Sequence, residues 1–117
     1  MADHVHRVTL FKLPKPEDVD RLIEQYKVLE ATHQKNGKPY LRSVVIGKPE
    51  ADPRAQGFTL CAKTEFASAE DMKYYDEECE AHKTLKGVAK SLTLEGAMSV
   101  YFKPTVYKPS INSGDSQ

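Results

Sequence analysis

Residues His4 to Leu13 alternate between polar and apolar with a period of two, yet neither set is purely polar. The even positions are His4, His6, Val8, Leu10 and Lys12; the odd ones are Val5, Arg7, Thr9, Phe11 and Leu13. Alternation of this kind reads as a β-strand. An antiparallel strand with one face in water would keep that face polar, so a strand apolar on both sides needs cover on both. That requirement constrains everything built around it.

Pro14 ends the strand and Pro16 opens a helix, with Glu17 and Asp18 placing negative charge at the positive end of its dipole. Val19, Leu22, Ile23, Tyr26 and Leu29 then recur at i, i+3, i+4, i+7 and i+10, a single helical stripe. His33 and Lys35 suit the negative end, and Gly37 followed by Pro39 is the expected stop. Tyr40 to Ile46 reads as a second strand closed by Gly47. The loop Lys48 to Gln56, with two prolines and four charges, should be exposed. Phe58 to Phe66 is a third strand, with Phe58, Leu60, Ala62, Thr64 and Phe66 on one face. Ser68 and Asp71 have the spacing of a capping box, and a helical stripe follows at Met72, Tyr75 and Cys79. The acidic run from Asp76 to Glu80 predicts a break near Cys79, after which His82, Leu85, Val88, Ala89 and Leu92 form a second helical stripe. Ala97 to Lys103 alternates again and is the last strand.

The order strand, helix, strand, strand, helices, strand is that of an α+β, ferredoxin-like βαββαβ fold. It makes a four-stranded antiparallel sheet with helices on one face, spanning residues 4–104. Residues 105–117 turn to Pro, Ser, Asn and Gly and read as a C-terminal tail. Helices on one face leave the other face's apolar residues wet, and a second copy of the chain covers them most economically, so a homodimer enclosing a shared apolar interior is expected. Equal numbers of basic and acidic residues, 17 of each, give no field to attract nucleic acid. No run approaches the ~20 apolar residues of a membrane span. Two cysteines without CxxC spacing, and an N-terminus lacking the apolar segment of a secretory signal, point to a cytoplasmic protein.

Several stretches resemble the stress-responsive α/β barrel (Dabb) domain family, part of the dimeric α+β barrel group. They are His6 to Lys12; Val45-Ile-Gly-Lys48; Gly57-Phe-Thr leading to Glu65-Phe-Ala-Ser68; and Tyr75 followed by Ala81-His82. The resemblance runs from about His6 to Pro104. It implies the dimeric barrel fold and, distantly, the activity of the plant olivetolic acid cyclase, a cofactor-free polyketide cyclase working by intramolecular aldol condensation. There a Tyr and a His of the second helical region carry the reaction and a strand His lines the pocket. The resemblance carries these roles to Tyr75, His82 and His6 and implies no cofactor; His4-x-His6 has the spacing of a metal pair but no evident third ligand, so no metal is expected.

In physical terms His82 is the candidate base, since imidazole can accept a carbon-bound proton near neutrality, and Tyr75 the candidate donor to an enolate oxygen. Val8, Leu10, Tyr26 and Phe66 are the expected walls of an apolar small-molecule pocket, with His6 beside them. The other readings are a non-catalytic stress-response or small-ligand-binding dimer, with His82 packed between two helical segments, and a cofactor-free monooxygenase. The acidic run Asp76 to Glu80 and the Lys83, Lys86, Lys90 row read as solvated helix faces, and carboxylates so near His82 would favour its protonated form.

Overall fold

In the computed structural model, which describes residues 4–108, strand β1 (Val5–Lys12) leads through Pro14 into helix α1 (Pro16–Thr32). Strand β2 (Ser43–Gly47), a 3-10 turn at Pro53–Ala55 and strand β3 (Leu60–Phe66) follow. Helices α2 (Ala69–Glu77) and α3 (Glu80–Ser91) precede strand β4 (Gly96–Phe102). The strands form one antiparallel sheet in the order β2-β3-β1-β4. This is the ferredoxin-like arrangement that the element order predicts.

The pleat divides β1 by parity. Val5, Arg7, Thr9 and Phe11 face the helices together with Leu60, Ala62, Thr64 and Phe66 of β3, whose burial alternates along the strand. Val19, Leu22, Tyr26 and Leu29 of α1 pack onto that face, as do Met72 and Tyr75 of α2 and Leu85 of α3, and these residues form the core. The even side of β1 has no helix over it. There His6, Val8 and Leu10 register with Phe102, Val100 and Met98 of β4. Met98, Val100, Phe102 and, on β2, Val45 each keep about half or more of their surface exposed, at 49%, 52%, 48% and 57%. Both sides of β1 are therefore apolar for different reasons: one meets the helices, the other is an open face.

Local chemistry accounts for most element ends. Pro16 starts α1 with Glu17 and Asp18 in its first turn. Ser68 caps α2, its hydroxyl accepting from the Asp71 amide at 3.1 Å, as the capping-box spacing predicts. The helical break falls where expected: Glu78 ends α2, and extended Cys79 is the residue before α3. One end differs. Helix α1 stops at Thr32, not at Gly37, because Asn36 and Gly37 both take left-handed backbone (φ 54° and 78°) inside a two-residue turn closed by reciprocal Lys35–Lys38 backbone hydrogen bonds. That is the geometry Asn-Gly favours in a hairpin, and a helix cannot pass through it. Residues 105–108 of the expected tail carry neither helix nor strand, and 109–117 lie outside the described residues. Among the described residues no helix is long and apolar enough to cross a membrane.

Candidate active site

The break between α2 and α3 builds the site. Tyr75 and His82 are seven residues apart, which in one unbroken helix would separate them by roughly 10 Å along the axis. Turning the chain at Glu78–Cys79 instead folds α3 back, so the imidazole stacks on the phenol with ring centroids 3.6 Å apart and planes 14° from parallel. The same turn lets His82 Nδ1 donate to the Tyr75 carbonyl at 2.8 Å. That bond places the proton of the neutral ring on Nδ1 and leaves Nε2 with its lone pair. Behind the pair, Phe66 meets the Tyr75 ring edge-on at 5.1 Å and holds it.

Tyr75 and His82 line a cavity of about 140 Å³ between the sheet and the helices, together with Tyr26 of α1, Phe11, Ala62 and Thr64 of the sheet, and Leu85 of α3. A volume of that order, roughly 150 Å³, encloses a single aromatic ring. Burial sets the electrostatics. His82 is buried, and desolvation of the charged ring pushes its pKa down from 6.5 to about 4, with Lys86 and Arg7 pressing the same way against the Tyr75 carbonyl and Asp76. Asp76 stands 3.9 Å from Nδ1, but its side chain is 39% exposed and already holds Arg7 at 2.6 Å. The expectation that neighbouring carboxylates would keep His82 charged is thus reversed: water screens the carboxylate while burial of the ring does not relent. Desolvation likewise raises the pKa values of Tyr26 and Tyr75, so both phenols stay protonated donors at neutral pH. His82 is a neutral base between protonated hydroxyls.

The sequence-predicted site residues divide between the two faces of the sheet. His82, Tyr75 and Tyr26 come together at the cavity, and Phe66 backs Tyr75 from the core. His6, Val8 and Leu10 lie on the open face, away from them, because residues one apart on a strand point to opposite sides. His6 stacks on Phe102 there, with ring centroids 5.5 Å apart, and its Nε2 is buried without a hydrogen-bond partner among the described residues. The β1 residues at the cavity are instead Arg7, Thr9 and Phe11. Lys86 is a second correction: it is not on a solvated face but lines the cavity, donating through Nζ to the Asp76 carbonyl at 2.8 Å. Among the described residues no group of three or more His, Cys, Asp or Glu side chains is placed to hold a metal ion.

A four-stranded antiparallel sheet backed by helices on one face, with a small cavity under those helices, defines a ferredoxin-like α+β protein. More narrowly, the Stress responsive A/B Barrel Domain (Dabb) family matches residues 5–100, and the chain belongs to that family. A Fusaristatin A biosynthesis cluster protein of Gibberella zeae is 53% identical over 104 residues, covering 89% of this chain and 75% of that protein. Among solved structures, the hydroxynitrile lyase of Passiflora edulis superposes with a TM-score of 0.71 at 16% identity, over 93% of this chain and all of that one (100%). SnoaB, a cofactor-independent oxygenase of Streptomyces nogalater, gives 0.67 at 9%, over 92% and 99%. A dimeric ferredoxin-like protein of Thermobifida fusca gives 0.70 at 15%, over 86% and 91%. At such identities these structures share the fold, which hosts more than one chemistry.

Proposed function

We propose that this protein is a cofactor-independent enzyme of the lyase or cyclase class, acting on a small oxo compound in the cavity under the helices. His82 Nε2 takes the proton from a carbon next to a carbonyl, and the C–H electron pair passes into the enolate. The Tyr75 hydroxyl donates a hydrogen bond to the enolate oxygen, with Tyr26 across the cavity as a second donor. No oxidant is needed, because the proton is only stored on the ring until it returns to the product. The observation that carries this reading is the His82 Nδ1–Tyr75 carbonyl hydrogen bond, which aligns a neutral, desolvated imidazole with its lone pair on Nε2. The relative from a biosynthesis cluster, and a lyase and an oxygenase among the proteins of like fold, are consistent with such chemistry. The cavity's 140 Å³ favours a substrate about one ring in size, so a linear polyketide would enter only in part.

The chain works as a homodimer in this reading, pairing through the open face of Val45, Met98, Val100 and Phe102, as the dimeric description of several like folds supports. The alternative, a non-catalytic ligand-binding dimer, draws on the Tyr75 ring covering one face of the imidazole. Turnover of short β-keto substrates by His82→Ala and Tyr75→Phe tests between them. A loss of at least about a hundredfold for His82→Ala is expected from removal of a general base; unchanged rates in both variants would leave the ligand-binding reading.

A further inference from the structure

Arg7 is a charge that the proposed proton transfer leaves unused. It stands on the helix-facing side of the central strand β1, in a run otherwise made of Val5, Thr9 and Phe11. A guanidinium there gives up hydration and persists only where partners replace it. The replacement is incomplete. Nη1 donates to Asp76 Oδ1 at 2.6 Å and Nε to Ser99 Oγ at 3.0 Å, while Nη2 makes no hydrogen bond among the described residues. Lys86, beside it, is satisfied by a neutral carbonyl, not a carboxylate. The cavity lining therefore carries two cations, Arg7 and Lys86, and no carboxylate; Asp76 pairs with Arg7 from outside the lining, and His82 is neutral. Such a surplus in a cavity otherwise lined by apolar and hydroxyl side chains disfavours a cationic ligand and leaves a neutral one without use for it.

We propose that the cavity takes a carboxylate-bearing oxo compound and that Arg7, with Lys86 beside it, seats the carboxylate. The guanidinium's planar fork suits that group, since Nη2 and the second Nη1 proton are available to it while Asp76 holds only one N–H. An anion seated there also restores the basicity that the two cations take from His82, so substrate binding itself prepares the base. The oxo half of this proposal rests on the enzymatic reading above; the anion site does not.

Benzoate and benzyl alcohol, ring probes of similar size of which the first is an anion and the second neutral, test it on the full-length protein by calorimetry and by NMR titration of the His82 ring. Benzoate should bind at least about tenfold more tightly than benzyl alcohol. It should also move the His82 titration midpoint upward, where Tyr75 and Asp76 of α2, Arg7 of β1, Tyr26 of α1 and Lys86 of α3 are the groups around the ring. Arg7→Gln should abolish the preference and Arg7→Lys restore part of it. Asp76→Asn, which removes the competing carboxylate, should strengthen benzoate binding, and it decides the matter if Arg7→Gln does not fold. Equal affinity for the two probes, a preference untouched by Arg7→Gln, or benzoate binding unimproved in Asp76→Asn would overturn the proposal. Benzoate selectivity alongside undiminished turnover in His82→Ala and Tyr75→Phe would sink the enzymatic reading and leave the anion site standing.

Discussion

Acidification should destabilise the protein through His82, by an amount the buried ring sets. In the unfolded chain this imidazole takes its proton as pH falls through about 6.5; in the native state desolvation delays protonation to about 4. Between those values the unfolded state binds more protons than the native one, so stability falls with pH across that window and levels off below it. The difference corresponds to about 3 kcal/mol, or on the order of 10 °C in Tm for a domain of this length. The assay is urea unfolding of the wild-type chain and His82→Gln at fixed ionic strength from pH 7.5 to 4. His33, whose pKa burial also lowers, contributes with the same sign in both proteins and cancels in the difference. The wild-type protein should lose about 3 kcal/mol more than the variant. Curves that run parallel through the window would mean that the His82 ring is solvated, and the argument for a desolvated base would go with them.

The same depressed pKa predicts that kcat/KM stays flat from pH 8 to about 5, with its acid limb near 4 and not near 6.5. A pH–rate profile on any turned-over β-keto acid checks this. Val100→Lys, in the middle of the open face, should convert the proposed dimer to a 13.2 kDa monomer by mass measurement in solution while leaving the fold intact; a wild-type protein already monomeric at micromolar concentration would remove the pairing through that face. Leu60→Ala, fully buried on β3 against the helices, should cost about 3 kcal/mol in urea unfolding. Ser68→Ala should cost about 1 kcal/mol by the same measurement, through loss of the cap to Asp71.

Much of the architecture was legible residue by residue, because it rests on interactions close in sequence. The Val19–Leu29 stripe, the Ser68–Asp71 cap and the break at Cys79 each depend on neighbours within a few positions, and each stands where the pattern puts it. Asn36-Gly37 was equally local but ambiguous, since a glycine ends a helix and also completes a two-residue turn. The site was half legible. Tyr75 and His82 flank the break in the chain's second helical region, and only the direction of the turn at Glu78–Cys79 remained to bring their rings together. His6 and Arg7 show the limit. They are adjacent, and choosing which of them meets the cavity requires knowing which face of β1 the helices cover.

By itself, then, the order of residues determined the elements, their sequence along the chain and the apolar character of both sides of β1, since those depend on spacing and short-range sterics. Which side faces helices and which stays open, and that Arg7, Lys86 and Asp76 converge on His82 from three different elements, was decided only by tertiary packing. The physical reason is that long charged side chains read as surface in any linear pattern. Their approach to the buried imidazole, like the burial that sets its pKa, exists only once distant segments have packed around the same 140 Å³.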